Sequence, residues 1–278
     1  MVVLVTGAQG QLGLCLQSIS SQYPHIDFVF CDASMLDITD KANCKAVFAH
    51  YRPQYCINAA AYTAVDKAEE EVEKAFAVNA QGAENIAQAC LDTQTVLVHI
   101  STDFVFDGRQ HSPYKETDQP NPQTVYGRSK RAGEEAVRRL LKAHYILRTS
   151  WLFSPYGNNF MKTMIKLSES RTAISVVDDQ RGTPTNGLDL AVAILDIIGQ
   201  DRGEYGTYHF SNAGQASWYE FAVAIFKQNQ IDIQVHPIAS EAYPTKAIRP
   251  KYSVLDKSKI KDKFQVMPRE WQASIPKF

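Results

Sequence analysis

The chain opens on an unbroken apolar run, Val2-Val3-Leu4-Val5, which ends in Thr6-Gly7-Ala8-Gln9-Gly10-Gln11-Leu12-Gly13. A continuous apolar run of this length reads as a strand buried on both faces, the signature of a parallel sheet covered by helices. Gly7, Gly10 and Gly13 then fall at the first strand-to-helix junction. Glycines there permit a tight turn, close approach of backbone to a pyrophosphate, and close helix–strand packing. The N–H groups at the start of the helix, near Gln11 and Leu12, together with the positive end of its dipole, suit phosphate oxygens. These thirteen residues predict a dinucleotide-binding α/β chain.

The rest of the first half repeats the pattern. Strand-like segments at 26–31, 55–59, 95–100 and 144–148 alternate with helical patterns, including one from Asp37-Ile38-Thr39-Asp40 to Tyr51 and one over 124–142. Between Val65 and Leu91 lie further helix formers, with Gly82 as the expected break. Such alternation implies βαβ units and a doubly wound parallel sheet. Beyond Trp151 the rhythm loosens: short strands at 174–177, 207–210 and 233–238 sit between helices at 187–198 and 218–228, and Pro237, Pro244 and Pro250 mark a loop-rich tail. The expected organisation is a dinucleotide-binding domain of residues 1–150 plus about 172–204. A smaller α/β substrate-binding part would take about 151–171 and 205–278.

Composition narrows the function classes. The formal charge of −1 gives no global field to draw in nucleic acid or a membrane, so an anionic ligand needs local donors. No 18-residue apolar run is present, and the first strand starts at Val2, which predicts a cytoplasmic chain without a signal peptide. Cys15, Cys31, Cys44, Cys56 and Cys90 are odd in number and form no CxxC pair, so free buried thiols are expected. The seven histidines show no HxxxH spacing, so no metal site is expected.

Tyr126 and Lys130 are the candidate proton-transfer pair, because residues four apart on a helix share one face. A nearby cation favours phenolate and would lower the tyrosine from its usual value of about 10. Asp32, at the end of the second strand, is placed to accept hydrogen bonds from ribose hydroxyls, and its charge argues for NADH over NADPH. Asp37 and Ile38 would border the adenine. Ala59, Ala60 and Ala61, with Tyr62 and Thr63 following, would let a cofactor lie against the backbone.

Several motifs coincide in order: the glycine turn, Asn58 to Glu69 (NAAAYTAVDKAE), His99 to Gly108 (HISTDFVFDG), Tyr126-Gly127-Arg128-Ser129-Lys130, Arg148-Thr149-Ser150-Trp151, Asn158-Asn159-Phe160, Asp179 to Thr185 (DQRGTPT) and Arg249-Pro250. Together they resemble the dTDP-4-dehydrorhamnose reductase family of the extended short-chain dehydrogenase/reductases, as far as about Leu255. The resemblance implies a Rossmann domain, NADPH or NADH as cofactor, and reduction of the C4 ketone of dTDP-4-dehydro-L-rhamnose to dTDP-L-rhamnose for cell-surface polysaccharide. In that chemistry Tyr126 would donate the proton, Lys130 would lower its pKa and hold the nicotinamide ribose, and Thr102 would hold the carbonyl oxygen. Ser101 suits the last role less, since neighbours on a strand face opposite ways. Asp103 and Trp151 are candidates for the sugar, Trp151 equally for the base, and Asn159 and Arg249 for the nucleotide diphosphate.

Some family members carry a glutamate two residues after the last glycine of the turn, contributing to a magnesium-bound dimer. Cys15 stands here, and magnesium prefers hard oxygen donors, so a homodimer, if formed, would need another arrangement. Two rival readings remain open. One is another nucleotide-sugar reductase, epimerase or dehydratase, against which Asp103-Phe104 replaces the acid pair expected of a dehydratase. The other is a non-catalytic regulator like the beta subunit of methionine adenosyltransferase, which resembles the same family.

Overall fold

A computed structural model describes residues 1–277. Its centre is a parallel sheet built from β1 (Val2–Thr6), β2 (Asp27–Cys31), β3 (Tyr55–Asn58), β4 (Val96–Thr102) and β5 (His144–Thr149), with Gly206–His209 as the edge strand beside β5. The spatial order is β2-β1-β3-β4-β5 and then the edge strand. Strand order reverses between β1 and β3, and the carboxyl ends of strands diverge at such a switch point to open a ligand crevice.

The apolar opening run explains itself in this frame. Val3 and Val5 enter the core on one face of the sheet and Leu4 the core on the other, all fully buried. Burying one such side chain stabilises by about 1.5–3 kcal/mol. Helices Gln11–Ile19 and Gly187–Gln200 cover the first face, and Lys41–Tyr51, Gly82–Thr93 and Val125–Leu140 the second. All five cysteines are buried and free, as the sequence predicts. No helix of the described residues is long and apolar enough to cross a membrane.

A second layer packs Phe160–Ser168 and Trp218–Gln228 against the parallel pair Ala173–Val177 and Gln234–Ile238. The sheets do not follow the sequence-based boundaries at two places. Ala173–Val177, counted with the first domain, pairs in the second layer. The edge strand Gly206–His209, counted with the second, pairs in register with β5. Helix Ser258–Phe264 also returns Ile260 and Phe264 to the central core. Short apolar strands carry no mark of the sheet they join, which is why these segments read ambiguously.

Gly82 does not break its helix. The chain turns at Glu69–Glu71 instead, and a π-helical turn at Ala77–Gln81 runs directly into Gly82–Thr93. A side chain at position 82 would meet Ile38 Cδ1 at 2.7 Å, so this glycine makes room for the loop after β2.

Candidate active site

The glycine turn is shaped by two close approaches. Gly7 adopts φ +66°, and a Cβ there would lie 2.7 Å from the Ala60 nitrogen. A Cβ on Gly13 would lie 2.5 Å from the Gly7 oxygen, so this glycine seats the helix on the turn. The Thr6 hydroxyl donates to Asn58 Oδ1 at 2.7 Å and accepts from the Ala60 N–H at 3.1 Å, tying the ends of β1 and β3 together. Gly10 caps the helix with extended backbone and no side chain, leaving the first helical N–H groups open to a cleft of about 1490 Å³ lined by Gly10, Gln11 and Leu12.

Ala59, Ala61 and Thr63 continue that wall. Gly7, Gly13, Ala60 and Tyr62 stand behind it as support, Tyr62 being clamped by Asn79 through hydrogen bonds of 2.9 and 3.0 Å. The adenine-side expectations land differently. Asp32 Oδ1 accepts from the Ser34 N–H and hydroxyl and from the Met35 N–H, which holds its carboxyl below the usual range. Asp37 caps Thr39 in the same manner, and Ile38 is buried in the core. None of the three lines the cleft. The Asp32 carboxylate caps this turn through Oδ1 alone and stays charged near neutrality.

Thr102, Asp103, Tyr126 and Lys130 converge on the cleft from the end of β4 and the start of helix Val125–Leu140. The Thr124 hydroxyl accepts from the Gly127 N–H at 3.0 Å and starts that helix. Ser101 and Thr102 point opposite ways, as expected: Ser101 donates to Glu134 beneath the helix, while Thr102 donates to Asp103 Oδ1 at 3.0 Å. Lys130 is buried and donates to the Ile100 carbonyl at 2.6 Å.

Here one expectation reverses sign. Burial pushes the Tyr126 phenol up to about 12; a hydrogen bond with Thr102 opposes the rise and the Asp103 charge adds to it. Lys130 does not pull the phenol down, because its ammonium is turned to a backbone carbonyl. Burial lowers Lys130 itself to about 8, against the favourable charge of Glu134. Asp103 is raised to about 6 by burial, which the Ser253 and Thr102 hydroxyls offset only in part. At neutral pH the site therefore holds a protonated phenol beside a charged ammonium, the combination a proton donor needs.

On the opposite wall, Trp151 lies in the left-handed region at φ +46°, a conformation costing about 1–3 kcal/mol in a bulky residue. Its indole stacks on Trp218 with centroids 3.5 Å apart and planes 8° apart. Trp218 Nε1 donates to Gln180 Oε1 at 3.1 Å, so the DQRGTPT segment fixes this aromatic wall. Trp218 and the basic Arg171 also line the cleft, and neither carries a motif signal in the sequence. Asn159 lines it too, but its amide donates to Gln11 Oε1 and the Ser154 carbonyl, and its Oδ1 caps Lys162. Arg249 borders the cleft while ion-paired to Asp66.

The chain is similar to known proteins along its whole length. A family model for the RmlD substrate binding domain matches residues 1–278. A dTDP-4-dehydrorhamnose reductase of Aggregatibacter actinomycetemcomitans is 41% identical over 98% of this chain and 96% of its own. The chain belongs to the dTDP-4-dehydrorhamnose reductase family. Another relative, the spore coat polysaccharide biosynthesis protein SpsK of Bacillus subtilis, is 40% identical over 99% of this chain and 96% of its own. A crystal structure of the Bacillus anthracis dTDP-4-dehydrorhamnose reductase in complex with NADP superposes with a TM-score of 0.94 at 43% identity, covering 99% of this chain and 96% of that one.

Cys15, two residues past the last glycine of the turn, is part of the core. Cys15 is fully buried, its sulfur 2.8 Å from where a Cβ on Gly187 would stand, and burial pushes its thiol up to about 11. Among the described residues no group of three or more acidic, histidine or cysteine side chains is placed to hold a metal ion.

Proposed function

We propose that this chain reduces the C4 ketone of dTDP-4-dehydro-L-rhamnose to dTDP-L-rhamnose with NADPH or NADH. The observation that carries the reading is the meeting of Thr102, Tyr126 and Lys130 in one cleft with the open helix N-terminus at Gly10–Leu12. That turn offers backbone N–H groups to a pyrophosphate, and a cofactor would lie along Ala59, Ala61 and Thr63 toward Lys130. The bound nicotinamide supplies the hydride.

The protein's own part is to bind, orient and protonate. Tyr126 keeps its phenolic proton at neutral pH and gives it to the oxygen that becomes an alkoxide. Lys130 offers a fixed positive charge as that oxygen gains electrons and would bond the nicotinamide ribose. The Thr102 hydroxyl, released from Asp103, would hold the same oxygen. Asp103 and the Trp151 face would receive the sugar, with Asn159 and Arg249 toward the diphosphate. The second layer, built from Phe160–Ser168 and Trp218–Gln228, forms the substrate wall.

The test is an assay of purified protein with dTDP-4-dehydro-L-rhamnose and each reduced cofactor in turn. Substrate-dependent oxidation of NADPH or NADH, with dTDP-L-rhamnose as product, is the expected result. Cofactor binding without any turnover would instead favour a non-catalytic regulator.

A further inference from the structure

We infer that Glu134, a wholly buried carboxylate one helical turn beyond Lys130, is the positioning residue that ties the two elements bearing the reacting side chains, β4 and helix Val125–Leu140, to the end of β5 and supplies a counter-charge that favours the lysine's ammonium form. The inference rests on the reductase reading for its consequence in catalysis, though its geometry is independent of it. The Glu134 side chain has no exposed surface. It accepts from the Ser101 hydroxyl at 2.6 Å and from Arg148 Nε and Nη2, both at 2.8 Å. Ser101 immediately precedes Thr102 at the end of β4, and Arg148 immediately precedes Thr149 at the end of β5. One carboxylate thus pins both strand ends to the helix that carries Tyr126 and Lys130.

The charges around it explain why an anion belongs there. From its own helix, Arg131 and Arg138 reach Glu134 at 3.2 and 2.5 Å. Arg148 comes from β5, and His209 from the edge strand stands 3.4 Å from Arg148. Burial, reinforced by Arg148, drives His209 down to about 3, so it is neutral near pH 7. From β4, burial and the Lys130 charge hold the His99 imidazole well below its usual value. His144, at the start of β5, is lowered by burial and by Arg138. Burial alone would raise the Glu134 carboxyl, yet Arg148, Ser101 and Arg138 hold it well below the usual carboxylate range. Three arginines therefore share Glu134 as their buried anion, Arg131 also pairing with Glu135, and the same charge, one helical turn away, favours the Lys130 ammonium without a direct ion pair. A buried ammonium without an anion nearby gives up its proton. The roles proposed for Tyr126 and Lys130 leave this cluster unused, although Glu134 lies on the same helix one turn beyond Lys130.

The experiment follows the Lys130 ammonium by NMR in protein carrying 13C-labelled lysine, the signal being assigned by its loss in Lys130→Met. In Glu134→Gln the titration midpoint should drop by about one to two pH units, the scale of losing one nearby opposite charge. The alkaline limb of kcat should move down with it, while the KM for the reduced cofactor stays near that of the native protein. Glu134→Asp, which keeps the charge, should keep the midpoint. Arg138 is partly exposed, so Arg138→Gln is expected to fold even where Glu134→Gln does not, and it should shift the midpoint upward. An unmoved Lys130 midpoint in Glu134→Gln, or in Arg138→Gln where Glu134→Gln does not fold, overturns the inference, and a loss of activity equal at every pH marks a merely structural role. Native protein that fails to turn over any 4-keto nucleotide sugar sinks the reductase reading instead, and the NMR midpoints still decide this one.

Discussion

Arg249 gives both ends of its guanidinium to Asp66, Nη1 to Oδ1 at 3.1 Å and Nη2 to Oδ2 at 2.6 Å. The pair joins the tail segment to the short helix Val65–Ala68 at the edge of the cleft, and beside it Lys246 bonds Glu70. A diphosphate entering here meets an arginine that is already oriented and has a partner to exchange. A charge-assisted hydrogen bond contributes about 1.5–3 kcal/mol, so Arg249→Ala should raise the KM for the nucleotide sugar roughly ten- to a hundredfold. The KM for the reduced cofactor should stay put. Steady-state kinetics with both substrates varied would check this, and an unchanged nucleotide-sugar KM would remove Arg249 from the binding site.

Tyr126→Phe deletes the donor and leaves the ring, which packs edge-on to Phe104 with centroids 5.6 Å apart. General acid catalysis is worth about 10²–10⁴-fold, so kcat should fall by at least two orders of magnitude. Cofactor affinity, measured by fluorescence titration, should be nearly intact. Near-normal turnover in this variant would sink the mechanism.

The pH dependence has a definite sign. The proposed mechanism needs Lys130 charged and Tyr126 protonated, and each condition is lost as pH rises. Lys130 sits at about 8 and Tyr126 at about 12, so the lysine goes first. The rate should therefore hold near neutrality and decline through about pH 8. A profile flat to pH 10 would show that charge on Lys130 is not required.

Gly7→Ala places a methyl group in left-handed backbone at φ +66° and 2.7 Å from the Ala60 nitrogen. The backbone term alone is about 1–2 kcal/mol, and the neighbour is main chain that cannot swing aside. Thermal unfolding should come at least roughly 2–8 °C earlier on that basis, with weaker cofactor binding. An unchanged Tm would mean that the turn has room the structure does not show.

How far the sequence reaches depends on whether a signal is local. Val2–Thr6 and the three glycines specify the first βα unit because periodicity and turn chemistry act over a few residues. That Tyr126 and Lys130 share one helix face is legible for the same reason, the two being one helical turn apart. Side-chain partners over long range were not. Nothing near Arg249 in sequence points to Asp66, 183 positions away. Nothing near Asp32 separates a ribose ligand from a cap on Ser34 and Met35, since both use the same carboxylate. The sign of the Tyr126 shift was misread because helix spacing shows which groups are near, whereas burial and the Lys130–Ile100 bond emerge only from packing.

Trp218 is the clearest case of a site residue without a motif, and it carries the last prediction. Its indole lies flat against Trp151, and Phe160 leans on it with centroids 4.7 Å apart. Trp151 holds a strained backbone at φ +46°, so its ring position depends on that support. Aromatic pairs contribute about 0.5–1.5 kcal/mol beyond the area they bury. Trp218→Ala should therefore raise the nucleotide-sugar KM by about two- to twelvefold, with kcat and the cofactor KM less affected. Trp218→Phe keeps an aromatic face and should restore most of the loss. Should the alanine variant bind substrate as the native protein does, the aromatic wall is packing for the second layer and not a surface for the ligand.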